Sequence, residues 1–132
     1  MPLKSSTSSV LVWPTRAEVA DALRTWAADN ARQRPELLKL GYFGSLAGGG
    51  WGVGSDVDIV AIVRDSRWPF ERRAVDWDLT PLPVAADLLV YTEPEWQALT
   101  GSGSRFGRML AERVVWIVGA SHTPAGNVPG VS

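Results

Sequence analysis

Cysteine is absent from this sequence of 132 residues, and histidine occurs once, at His122. These absences exclude disulfide bonds and any Cys/His zinc site, and they leave carboxylate oxygens as the plentiful metal donors, a set that suits magnesium or manganese. An excess of either charge is also missing. Thirteen basic and 14 acidic residues give a formal net charge of -1, which disfavours a strongly basic nucleic-acid binder. No run of about 18 apolar residues exists to span a bilayer. Residues 1–13 lack the apolar stretch and cleavage pattern of a secretory signal, so a cytoplasmic protein without membrane association is expected. The glycine signatures GxxxxGK[ST] and GxGxxG do not occur. An EF-hand counted from Asp56 fails too, because its sixth and twelfth positions are Ala61 and Arg67, where that loop needs Gly and Glu.

What is present is ordinary for a globular domain, with 45% apolar and 20% charged residues. Residues 1–9 are short, polar and serine-rich, and a disordered tail is expected there. Residues 120–132, rich in Gly, Pro and Ser, read as a second flexible tail, which leaves one domain over 10–119. Within it, Thr15 and Glu18 form a capping-box pattern. Val19, Leu23, Trp26 and Ala27 then recur at helical spacing, which predicts a helix from about Thr15 to Arg32. After Pro35, the apolar run 37–43 predicts a strand. Residues 56–63 predict a second, central strand, with Asp56, Asp58, Val60 and Ile62 on one face and Val57, Ile59, Ala61 and Val63 on the other. The third strand is expected at 86–92, with Asp87, Leu89 and Tyr91 sharing a face. Pro94 opens a short helix, a second follows from about Arg105 with Phe106, Met109 and Leu110 inward, and 114–118 predicts a fourth strand. Residues 64–84 are the least readable part, with at most one short helix near Phe70 to Val75.

The chemistry concentrates between residues 41 and 63. From Gly44 to Gly54, six of eleven residues are glycine, so the backbone can approach a ligand closely. Ten residues after the Gly44-Ser45 pair come Asp56 and Asp58. Their Cα atoms should lie roughly 6.5 to 7 Å apart on one face of a strand, a spacing at which carboxylates can share divalent ions. If the third strand lies beside the second, Asp87 joins them, and three like charges then call for a cation. Such a site suits phosphoryl or nucleotidyl transfer. The Gly44 and Ser45 amides and the Ser45 hydroxyl are candidates for holding a triphosphate, with Ser55 a further nucleotide-binding candidate. Asp56, Asp58 and Asp87 are the candidate catalytic and metal residues, Asp87 being best suited to take the proton of an acceptor hydroxyl. Trp51, inside the glycine loop, is the tryptophan on which a base or a partner could stack.

Gly-Ser, ten residues, Asp-x-Asp and a third Asp opening a later strand resemble the nucleotidyltransferase superfamily that includes DNA polymerase beta. The short length, DVDIVAIV, ADLLVYTEPEW and AERVVWIVG are most similar to its minimal nucleotidyltransferase branch, over roughly residues 15 to 119. The resemblance implies an α/β (α+β) fold, a small mixed β-sheet of about four strands flanked by helices. It implies Mg2+ or Mn2+ and a nucleoside triphosphate, ATP being the expected one, and transfer of AMP to an acceptor hydroxyl. It also implies a partner, a helical HEPN protein whose toxin activity the chain would neutralise as antitoxin, or a second copy of the chain. Two alternatives stand beside it: a module that has lost transfer and neutralises a partner by binding, and a small-molecule transferase of the aminoglycoside-modifying kind. One departure is visible. Many relatives carry Ser-x-Ala-Arg-Gly, whereas Ser45-Leu46-Ala47-Gly48-Gly49 places Gly48 where the basic residue stands. That phosphate contact is then either missing or supplied elsewhere, for example by Arg72, Arg73 or Arg105, although Arg72 and Arg73 read first as a solvated charged face.

Overall fold

The computed structural model describes residues 13–119. The two expected tails and His122 lie outside the described residues. Helix α1, Arg16–Gln33, begins at a complete capping box: Thr15 Oγ1 accepts from the Glu18 amide at 3.1 Å, and Glu18 Oε1 accepts from the Thr15 amide at 2.8 Å. Its inward stripe is Val19, Leu23, Trp26 and Ala27. Strand β1, Leu37–Phe43, leads into the four-residue helix α2, Ser45–Gly48, and the glycine loop returns the chain to β2, Val57–Val63. A crossover carrying α3, Phe70–Arg73, and a 3-10 turn at Ala74–Asp76 reaches β3, Ala86–Thr92. Helices α4, Glu93–Thr100, and α5, Arg105–Arg113, precede the short strand β4, Val115–Val118.

The sheet runs in the order β3-β2-β1-β4. Strand β1 is antiparallel to β2 and to β4, while β2 and β3 are parallel, so the sheet is mixed. The parallel pair needs a long connection, and residues 64–85 provide it. Both faces of β2 are covered, as a central strand requires. Val57, Ile59, Ala61 and Val63 meet α1 together with Trp77, Leu82 and Val84 of the crossover. Val60 and Ile62 face the opposite layer, where Leu110, Met109, Trp96 and Leu99 of α5 and α4 close over them. Helices therefore flank the sheet on both sides, and the expected fold class is what is found.

Two details differ from expectation. Asp56 precedes β2 instead of opening it. Phe106, expected inside, is 41% exposed and meets Phe43 in a T-shaped arrangement, with ring centroids 6.4 Å apart. Leu110, one turn further, is fully buried and carries that face of α5. Among the described residues no helix is long and apolar enough to cross a membrane.

Candidate active site

Asp58 is the second residue of β2 and Asp87 the second of β3, and the parallel register sets them opposite each other. Adjacent strands lie about 4.8 Å apart, so two carboxylates on the same face cannot ignore one another. Burial, then the charge of Asp87, then that of Asp56 push the Asp58 carboxyl above its ordinary range. Asp58 is half-buried, whereas Asp56 and Asp87 are exposed. The three aspartates thus form an acidic edge at the start of the parallel pair, with its most confined member in the middle.

The glycine turn is fastened to that edge. Phe43 pairs with Asp58 across the β1–β2 ladder, and Gly44 follows with φ 74° and ψ -147°, a conformation open essentially to glycine alone. A Cβ at Gly44 would run into Asp58 Oδ2. Leu46, buried in the main core, pins the turn from beneath. The Gly44 carbonyl accepts from the Ala47 and Gly48 amides, and the Ser45 carbonyl from the Gly49 amide. The first amides of such a turn have no partner within it. A groove of 350 Å³ lies beside this turn, lined by Gly44, Ala47 and Gly48 on one side and Met109, Glu112 and Arg113 of α5 on the other.

Other sequence candidates sit differently. The Ser55 hydroxyl accepts from the Gly52 amide at 3.0 Å, and the Ser55 amide donates back to the Gly52 carbonyl at 3.0 Å. Ser55 therefore closes a tight turn just before Asp56. Trp51 is a clasp and not a free stacking platform: its Nε1 donates to the Pro14 carbonyl at 3.0 Å, and its ring is half-buried against the main core.

Of the three arginines expected to replace the missing basic residue, Arg73 is ruled out by its own contacts. It is buried, with Nη1 and Nη2 on the two Glu95 oxygens at 2.6 and 3.1 Å and further bonds to the Val90 and Trp68 carbonyls. These hold it near the far end of β3, three residues up the strand from Asp87, about 10 Å away. Arg72 lies over the Trp68 ring in the same region, at 5.7 Å. A cavity of 280 Å³ at this end of the sheet is lined by Arg34, Arg67 and Arg73; Arg34 and Arg73 are paired with carboxylates, and Arg67 lies over the Trp68 ring at 5.3 Å. Arg105 is exposed at the start of α5. Arg113 lines the groove beside the turn, and Arg16 does reach the turn, its Nη2 donating to the Ser45 carbonyl at 3.3 Å. No sequence signal pointed to it, because the contact spans 29 positions.

Carboxylate oxygens are the donors that a hard divalent cation takes, and Asp58, raised by burial and then by the charges of Asp87 and Asp56, marks where they meet. Among the described residues no group of three or more His, Cys, Asp or Glu side chains converges so as to hold a metal ion. Magnesium needs only one or two protein carboxylates beside waters and substrate phosphates, and Asp58 and Asp87, paired in register, are two such groups.

The fold has a match among solved structures that covers most of the chain. The crystal structure of a Sulfolobus solfataricus protein, provisionally described as a nucleotidyltransferase, superposes with a TM-score of 0.56 over 87% of this chain and 90% of that one. The chain has a nucleotidyltransferase fold. At 17% sequence identity the likeness concerns architecture. No protein-family model and no curated protein matches the sequence.

Proposed function

We propose that the chain is a metal-dependent nucleotidyltransferase that moves AMP from ATP to an acceptor hydroxyl. The observation that carries this reading is the apposition of Asp58 to Asp87 on one side and to the Gly44 turn on the other. It joins a carboxylate cluster to a backbone turn that a phosphate can approach, which is the combination that phosphoryl-group chemistry uses. In this reading the Gly44-Ser45 turn binds the triphosphate through its amides and the Ser45 hydroxyl, and Asp56 and Asp58 hold the cation with help from Asp87. When bound, magnesium supplies charge neutralisation at the phosphate oxygens.

The acceptor oxygen attacks the α-phosphorus, the bond to the β-phosphate oxygen breaks, and pyrophosphate leaves. The acceptor proton passes to a carboxylate of Asp87, which is exposed and so accessible to a second substrate. The acceptor is a hydroxyl on a partner protein, in the manner of a HEPN toxin neutralised by its antitoxin. Purified protein, magnesium, ATP labelled at the α-phosphate and a cell lysate test the reading. A labelled acceptor that is lost in Asp56→Asn or Asp58→Asn supports it, and absence of label with the wild-type chain overturns it.

A second reading, a binding module without transfer activity, draws on Gly48 and on the three aspartates not converging as a metal-holding group among the described residues. It is distinguished by partner binding that persists undiminished in the same aspartate variants while no label is transferred.

A further inference from the structure

Arg16 occupies an odd position for an arginine. It is the first residue of α1, where a cation opposes the positive end of the helix dipole. Among the described residues Arg24, Arg32, Arg34 and Arg73 lie within ion-pair distance of a carboxylate, and Arg16 is one of the seven other arginines that do not; what sets it apart is its contact with the glycine turn. Its single hydrogen bond, to the Ser45 carbonyl at 3.3 Å, uses one of the five guanidinium N–H groups. That bond turns the charge toward the glycine turn, and Nη2 lies 3.6 Å from where a Cβ of Gly49 would stand.

Two further contacts keep Arg16 there. The Thr15 capping box fixes the first turn of α1, and Trp51 ties the glycine loop to the Pro14 carbonyl, two residues before Arg16. Gly48, meanwhile, is not required by its surroundings. A Cβ there meets nothing within 4 Å, and its φ is not among the positive ones.

Resting on the nucleotidyltransferase reading, we propose that Arg16 is the cation that binds the terminal phosphates of the nucleoside triphosphate at the Gly44–Gly49 turn. It does from α1 what a basic side chain at position 48 would do from α2. The rival is Arg113, which lines the groove on the far side of Gly48.

The test is calorimetric titration of the full chain with α,β-methylene-ATP and with AMP, both with magnesium. Arg16→Gln keeps a donor for the Ser45 carbonyl and removes the charge. The variant is expected to lose about tenfold in affinity for the triphosphate analogue, the scale of one charge-assisted hydrogen bond, with AMP binding unchanged. Adding Gly48→Arg to the Arg16→Gln chain is expected to restore the triphosphate affinity. Equal triphosphate binding by wild type and Arg16→Gln overturns the assignment, and so does an equal loss for both nucleotides, which would mark a merely structural contact. A triphosphate-specific loss found in Arg113→Gln and not in Arg16→Gln also overturns it. These outcomes leave the nucleotidyltransferase reading intact, whereas a wild-type chain that binds no triphosphate analogue overturns both.

Discussion

Gly44 and Asp58 are packed so closely that the glycine has no room for a side chain against the aspartate carboxylate. The contact joins the two halves of the candidate site. It arises because Phe43 is the ladder partner of Asp58, which delivers the next residue to the carboxylate. Glycine is demanded twice there, by the collision and by φ 74°.

Gly44→Ala is therefore expected to cost about 2 kcal/mol or more, combining backbone strain with displacement of Asp58. Gly48→Ala, four residues on in open space, is expected to change stability by no more than about 0.5 kcal/mol. Urea unfolding of the two variants measures both. Equal effects would contradict the contact.

Asp58→Asn is expected to raise the melting temperature at neutral pH without divalent ions. Burial and the neighbouring aspartates raise the Asp58 pKa. The folded state thus holds this proton more tightly than the unfolded chain, and the associated stability is lost as pH rises through the folded value. Asparagine removes that penalty. Magnesium is expected to raise the melting temperature of the wild type more than that of the variant, which thermal melts with and without magnesium would check.

Glu95 gives the opposite pH signature. Its hydrogen bonds to Arg73, and then those from Thr92, hold its pKa down to about 2 from an ordinary 4.5. The stability it contributes is complete above the ordinary value and disappears as pH falls toward 2. Acid titration of Glu95→Gln is expected to show a flatter loss of stability across that window. Because the Glu95 side chain is 44% exposed, solvent screens much of the pair. Arg73→Ala should cost more, about 2 kcal/mol, since it empties a buried position and leaves the Val90 carbonyl without its donor.

Trp51→Phe keeps the ring in place and removes the bond to the Pro14 carbonyl. A loss of about 1 kcal/mol is expected, with faster amide exchange through the glycine loop as the local readout. Unchanged exchange would contradict the clasp.

Strands β1 and β3 were legible to the residue, because short apolar runs ended at Gly44 and just before the helix that Pro94 opens. The candidate aspartates were legible as residue types at a spacing. That Asp58 faces Asp87 was conditional on β2 and β3 being neighbours, which no local pattern encodes. Residues 64–84 were illegible because distant partners order them: Trp26 Nε1 bonds the Asp78 carbonyl at 2.7 Å, Arg34 the Asp76 carbonyl at 2.8 Å, and Arg73 pairs with Glu95. Arg73 was misread for the same reason. An Arg-Arg pair in a polar stretch resembles a solvated face, and only the fold shows one of the two turned inward onto Glu95.

The central claim is that this acidic edge and glycine turn transfer a nucleotide. The most direct measurement compares ATP labelled at the α-phosphate with ATP labelled at the γ-phosphate, each given to the protein with magnesium and lysate. Nucleotidyl transfer puts the α-label on an acceptor and sends the γ-label away in pyrophosphate, with both signals dependent on Asp58. Incorporation of the γ-label, or of neither label, would contradict the account.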